Sequence, residues 1–170
     1  MKKLLVFLFL IVCSSAFSQN LNLPELIAVQ GKTQQEIKQY FIDAKWKLVD
    51  ERFSEKRGFG DMAFVSTEMQ TESVMNVKVY YGQQKTSQTR IQLNIKNKDQ
   101  FTALKSGLAL TDLKFVSTET AANLTTTVFK NENVTVRIVA TRPVGISAAY
   151  EIDIESNAYD PKMYNFSLGK

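Results

Sequence analysis

The sequence predicts an α+β protein made of two tandem units, each a helix followed by four antiparallel strands, with the helices packed on one face of the sheet. The first observation is a pair of hairpin patterns at residues 76–95 and 135–154, where apolar and polar residues alternate around a polar turn. Val77 and Val136 are 59 positions apart and align the two hairpins without a gap. The second observation is a capped amphipathic helix before each hairpin. We therefore interpret the chain as a duplicated unit.

Three helices are predicted from capping residues and apolar spacing. Asn22 begins the first, and Thr33 with Glu36 forms a capping box for the second, at residues 34–45. Asn97 can cap the third. In each helix the apolar residues recur at helical spacing, which predicts one buried stripe.

The strands are predicted where the apolar spacing falls to two residues. In the first half they cover residues 46–53 and 62–66, separated by a polar loop at 54–61, and then both arms of the first hairpin. In the second half a strand begins at Leu113, residues 118–123 form a turn, and another strand leads into the second hairpin.

One repeated pentapeptide conflicts with this register. The sequence Phe-Val-Ser-Thr-Glu occurs at residues 64–68 and again at 115–119, a spacing of 51 positions rather than 59. If the hairpins set the register, the two copies lie in strands that are not equivalent. We expect the match to be a coincidence, because the hairpins agree over a longer stretch.

The first 18 residues have the organisation of a bacterial secretory signal. Two lysines open it, residues 4–12 are apolar, and residues 16–18 form a small-residue cleavage site. The apolar stretch is shorter than the ~20 residues that a membrane span needs. We expect a periplasmic or secreted protein with no transmembrane segment after cleavage.

Residues 19–170 are expected to form one domain, because the length and the 44% hydrophobic content suit a single core. Its repeats cover about residues 22–96 and 97–156. An aromatic tail at 157–170 follows and is predicted either to pack on the core or a sheet edge, or to fray.

The composition narrows the function classes. Cys13 lies inside the signal after Val12, not after the small residue that a lipoprotein signal requires, so we interpret it as an ordinary signal residue. The rest of the chain has neither cysteine nor histidine. Disulfide bonds and cysteine catalysis are therefore excluded, and histidine, the usual general base near neutral pH, is missing. Loss of the signal leaves 19 basic and 17 acidic residues, which does not favour nucleic-acid binding. No catalytic residue, metal site or cofactor is predicted.

The outward side chains of the paired hairpins are the candidate binding surface. If the helices cover one face of the sheet, the other face is expected to be open to water. Tyrosine and arginine on it are favoured interface anchors. The surface consists of Lys78, Tyr80, Arg90, Gln92, Arg137, Val139, Glu151 and Asp153.

Three acidic residues alternate along the last strand and point to one face: Glu151, Asp153 and Glu155. They could bind a hard cation, but a straight strand holds such side chains ~6–7 Å apart, too far for a converging site. The alternative is a solvated face with cross-strand ion pairs to Lys78, Arg90 and Arg137. We expect the ion pairs.

Several segments resemble small secreted proteins of Bacteroidota that have no assigned function. The resemblance is based on Ala44-Lys45-Trp46 after the second helix, on the stretch at residues 108–115 and on Ala-Tyr-Glu-Ile-Asp-Ile at 149–154. The helix-plus-four-strand order is also similar to the β-lactamase inhibitor protein fold and, more distantly, to outer-membrane assembly lipoproteins of the BamE type. Those families bind other proteins. The resemblance implies the architecture and no individual functional residue, because this sequence has neither a lipobox nor a recognisable inhibitor loop.

The predicted function is therefore a non-enzymatic binding protein that uses an exposed sheet face to contact another protein or a cell-envelope component. One alternative is a carrier that encloses a small apolar ligand between helices and sheet. Others are an envelope assembly factor and a hydrolase acting through acidic residues.

Overall fold

The computed structural model describes residues 21–56, 58–66, 75–82, 89–141 and 149–159. Within these ranges the protein is α+β, with three α-helices and one eight-stranded antiparallel sheet. The predicted signal, residues 1–18, lies outside the described residues. So do the end of the predicted tail, residues 160–170, and the hairpin turns at 83–88 and 142–148.

The helices begin where the capping residues predict. They are α1 (Leu23–Gln30), α2 (Gln34–Asp43) and α3 (Lys98–Ser106), and a short 3-10 turn follows α3. Asn22 accepts a hydrogen bond from the backbone N–H of Glu25 at 2.9 Å, and the Asn97 side chain caps α3 in the same way. Both hydrogen bonds of the predicted Thr33/Glu36 capping box are present at the start of α2.

The first four strands form a meander. They are β1 (Trp46–Ser54), β2 (Phe59–Ser66), β3 (Asn76–Gly82) and β4 (Arg90–Ile95). The predicted loop at 54–61 is shorter than expected because β2 begins at Phe59, where it pairs with the last residue of β1.

The last four strands form a second meander. They are β5 (Lys114–Ala121), β6 (Leu124–Lys130), β7 (Val134–Thr141) and β8 (Tyr150–Ser156). The turn predicted at 118–123 is wrong, since β5 continues to Ala121 and only residues 122 and 123 turn. Thr118 and Thr120 are β-branched residues that favour a strand, and they pair with threonines of β6.

The two meanders join at their last strands. The strand order is β1-β2-β3-β4-β8-β7-β6-β5, so β4 and β8 form the centre of the sheet while β1 and β5 are its edges. Leu93 faces Ile152 at the middle of the β4–β8 pairing. The flanking pairs are Ile91 with Ile154 and Ile95 with Tyr150. If each residue of β4 is matched to the residue 59 positions later in β8, the pairing is symmetric about Leu93 and Ile152.

The gapless alignment of the hairpins is wrong by two residues. Val77 faces Leu93 in the first hairpin, whereas Ile138, not Val136, faces Ile152 in the second. The second hairpin therefore has two fewer residues between equivalent positions, and Val77 and Val136 are not equivalent in the pairing. The repeated pentapeptide does lie in strands at different positions, because Phe64 is in β2 and Phe115 is in β5.

One apolar cluster forms the core. It joins buried residues of all three helices to alternate residues of the strands. α2 contacts β1, α1 contacts β4 and β8, and α3 contacts β4. Phe41 of α2 is fully buried, stacks on Phe64 at 4.8 Å between ring centroids and meets the Trp46 ring edge-on.

Candidate functional site

The eight residues of the candidate binding surface share one face of the sheet. The pairing registers place them in three parallel rows across β3, β4, β8 and β7. Tyr80 lies opposite Arg90 in the first row. The second row runs Lys78, Gln92, Asp153, Arg137, and the third contains Glu151 opposite Val139.

This face is not open to water at its centre, contrary to the expectation. Arg90 is 3% exposed, Tyr80 5% and Asp153 5%, and the other five predicted residues are only partly exposed. The alternating pattern identified the face correctly but not its environment. A polar residue in such a pattern can be buried when it has a partner of opposite charge.

Arg90 and Asp153 form a two-pronged ion pair between the central strands. Arg90 Nε donates to Asp153 Oδ1 at 2.6 Å, and a terminal guanidinium nitrogen donates to Oδ2 at 2.5 Å. The Arg90 guanidinium also lies 5.5 Å from the centre of the Tyr80 ring, within the range of a cation–π contact. The charge of each group is therefore satisfied inside the protein.

Two further ion pairs flank this centre. Arg137 pairs with Glu155, so two of the predicted cross-strand ion pairs are present. Arg52 donates to Asp61 at 2.8 Å, although the Asp61 side chain is almost fully buried and the Arg52 side chain is half exposed. Sequence reasoning missed Asp61, because it lies in the segment taken as a loop.

The chain after β8 covers part of the same face. Tyr159 and Phe59 pack against Tyr80 in a small apolar cluster. Burial raises the pKa of the Tyr159 hydroxyl to about 12. The Asn157 amide donates to the carbonyls of Asn131 and Glu132 and so holds this segment against the turn between β6 and β7. The start of the predicted tail thus packs on the sheet.

The β5–β6 hairpin is the most exposed part of the described sheet. Every residue of β5 except Ser117 is exposed, and no residue of β6 is fully buried. Phe115 is 62% exposed, and Leu110 in the preceding 3-10 turn is 80% exposed. Within the described ranges, the only extensive contacts of this hairpin outside its own strands are with β7.

Threonines line the side of the hairpin that continues the core face of the sheet. Thr118 donates to Thr127 at 3.2 Å, and the hydroxyls of Thr120 and Thr125 lie 3.3 Å apart. Phe115 lies on the same side, since it pairs with Phe129, which packs against the core cluster. This side is therefore a small flat surface of methyl groups, hydroxyls and one exposed aromatic ring.

An open groove of about 560 Å³ lies at the base of the hairpin. Both acidic and basic side chains line it, together with two asparagines. Its lining residues are Asp112, Lys114, Lys130, Asn131, Glu132 and Asn133. Because acidic and basic side chains are mixed in its lining, the groove does not favour binding of either cations or anions.

Two further classes of site were sought in the described residues. No three acidic, histidine or cysteine residues there are grouped to hold a metal ion. None of the described helices combines the length and apolar character that a bilayer span requires.

Comparison with protein-family models, with curated proteins and with solved structures found no match. The resemblance to secreted Bacteroidota proteins stays a prediction.

Proposed function

We propose that the protein is a non-enzymatic binding protein of the bacterial envelope that takes up another polypeptide on the β5–β6 hairpin. The observation that carries this proposal is the contrast in coverage within one sheet. The central strands and β1 pack under helices, while the β5–β6 hairpin leaves an aromatic ring and a threonine surface exposed. The signal-like residues 1–18 support the location.

A polypeptide suits this surface better than a small molecule. Small ligands are usually enclosed in concave pockets, whereas protein partners bind flat surfaces around a few aromatic anchors. Phe115 supplies such an anchor, and Leu110 and Val116, nearby in the sequence, are also exposed apolar residues. The threonine hydroxyls offer hydrogen bonds without fixed charge.

The charged face has a structural role in this proposal. The Arg90–Asp153 ion pair joins β4 to β8 at the centre of the sheet. Removing one partner of a buried ion pair leaves an uncompensated charge. Substitution of Arg90 or Asp153 is therefore expected to act on folding, not on binding alone.

We infer that the chain consists of two related helix-plus-four-strand units with the helices on one face. The symmetric pairing of β4 with β8 supports this inference. So does a β-bulge in each edge strand, at Val49 in β1 and at Val116 in β5.

A site-specific photo-crosslinking experiment in cells that make the protein tests the binding proposal. A photoreactive residue in place of Thr120 is expected to yield an adduct with another polypeptide. Phe115→Ala should reduce that adduct, because truncation of an aromatic anchor commonly costs ~2 kcal/mol or more of binding energy.

The other edge of the sheet provides matched controls. A photoreactive residue in place of Lys47 in β1 should give no adduct, and Phe53→Ala should leave the Thr120 adduct unchanged. Phe53 is also exposed but stacks on Tyr81. Adducts that form equally from both edges, or that persist in Phe115→Ala, would show that the β5–β6 hairpin is not the binding surface.

A further inference from the structure

We propose that two copies of the protein pair through their β5 edge strands, so that each Lys114 lies opposite Glu119 of the second copy. The two sheets would then continue into one another around a two-fold axis. This inference names a partner for the β5–β6 hairpin and rests on the proposed function only for the choice of that surface.

The outer edge of β5 is available for pairing. Its side chains are exposed on both faces of the sheet, and within the described ranges its outer edge makes no backbone hydrogen bond. An edge strand presents unpaired N–H and C=O groups that a second strand can satisfy. The axis of such a pairing stands perpendicular to the sheet, so opposite residues must lie on the same face.

The bulge at Val116 determines which residues share a face. Lys114 pairs with Lys130 and Glu119 pairs with Thr126. The two partners in β6 are four positions apart and therefore point to the same face. Lys114 and Glu119 thus also share a face, although residues five positions apart in a regular strand do not.

This arrangement selects one pairing register. A two-fold axis between Val116 and Ser117 places Lys114 opposite Glu119 at both ends and Phe115 opposite Thr118. The two members of each pair share a face. Phe115 and Thr118 both lie on the core side, and Lys114 and Glu119 both lie on the opposite side. The contact therefore spans residues 114–119 and contains two pairs of opposite charge.

The other long register is disfavoured by its charges. The regular part of β5 after the bulge, residues 117–121, can also pair with itself while each side chain keeps its face. That register is centred on Glu119, so the two Glu119 carboxylates face each other. Like charges directly opposite destabilise a strand pair.

Sedimentation equilibrium of the purified protein, with loading concentrations up to about 1 mM, tests the pairing. A single edge contact is small, so we expect a reversible dimer at the weak end of specific association. Lys114→Glu and Glu119→Lys should each weaken the dimer about tenfold or more, because both charge pairs become repulsive. The double variant K114E/E119K should restore the wild-type dimerisation constant. Lys98→Glu makes the same charge change on α3 and should leave that constant unchanged.

Hydrogen exchange on the unmodified protein gives a readout that does not depend on any variant. Amides of residues 114–120 should gain protection as the concentration rises through the dimerisation range, while those of β1 should not. A protein that is monomeric at every concentration, a dimer indifferent to the single reversals, or a double variant that stays monomeric while folded overturns the pairing.

The two proposals fail separately. A monomeric protein that still forms a Phe115-dependent adduct from position 120 refutes the pairing and leaves the binding function standing. A dimer that forms no adduct with any other polypeptide refutes the binding of a different partner.

Discussion

The hairpins β1–β2 and β5–β6 occupy the two ends of one sheet and share a similar construction. Each pairs an edge strand that carries a bulge with a neighbour that joins it to the central strands. The first is covered by α2, with Phe41 stacked on Phe64. The second has Phe115 near Phe129, at 6.0 Å between ring centroids, with no helix in extensive contact among the described residues. The position of α2 therefore explains why the β1–β2 hairpin contributes to the core while the β5–β6 hairpin is exposed.

The largest difference should appear when an aromatic ring is removed from each hairpin. Phe41→Ala is expected to lower the free energy of unfolding by ~3–5 kcal/mol, because it leaves a cavity in the core. Phe115→Ala should lower it by less than ~1 kcal/mol, since that ring is mostly exposed. Urea unfolding of both variants measures the difference. Equal losses would mean that the β5–β6 hairpin is packed in solution.

Hydrogen exchange should separate the two hairpins without any substitution. Amides shared by β5 and β6 are expected to open with a free energy at least ~2 kcal/mol below that of β4 and β8, because few buried apolar contacts hold them. Amides between β1 and β2 should exchange more slowly than those between β5 and β6. Exchange measured at low protein concentration tests this, and similar protection of both hairpins would contradict it.

The turns of the hairpins provide a matched pair of substitutions. Gly58, after β1, and Ala122, between β5 and β6, both have positive φ angles, of 68° and 52°. An L side chain in this region costs ~1–2 kcal/mol. Ala122→Gly should therefore raise the midpoint of urea unfolding, and Gly58→Ala should lower it. A loss of stability in Ala122→Gly would show that the turn in solution differs from the one described.

The smallest expected effect is a fall in the free energy of unfolding at alkaline pH, caused by buried tyrosines that lie outside the β5–β6 hairpin. Burial raises the pKa of Tyr81 and Tyr159 to about 12, and β5 and β6 contain no tyrosine. Between the ordinary pKa near 10 and this value the unfolded chain has released protons that the folded protein keeps. The free energy of unfolding should therefore fall as pH rises through this window. Thermal unfolding at pH 9 and pH 11 measures the fall, which Tyr159→Phe should reduce.

Local signals in the sequence were enough for the helices and the central strands. Asn22, Thr33 and Asn97 fixed the helix starts because a cap depends on a few neighbouring residues. Alternation identified β3, β4, β7 and β8 and placed the eight candidate surface residues on one face.

What the sequence could not predict depends on contacts between distant segments. The burial of Arg90 follows from its pairing with Asp153, which is 63 positions away. Phe115 is exposed because α2 packs on the β1–β2 hairpin at the other end of the sheet. The residues next to Phe115 in the sequence carry no information about the position of that helix. One available signal was overlooked. Residues 118–127 are rich in threonine and contain too few apolar residues to need a covering helix.

The position of β8 also has a consequence for the order of folding. This strand comes latest in the chain among the described elements, yet it lies between β4 and β7 in the middle of the sheet. The first meander and strands β5–β7 of the second can form locally, but they cannot be joined until residues 150–156 are in place. Such distant pairing makes the loop-closure entropy large and the rate-limiting step slow. A chain that lacked β8 would be left with two separate small sheets, each with a newly exposed apolar edge.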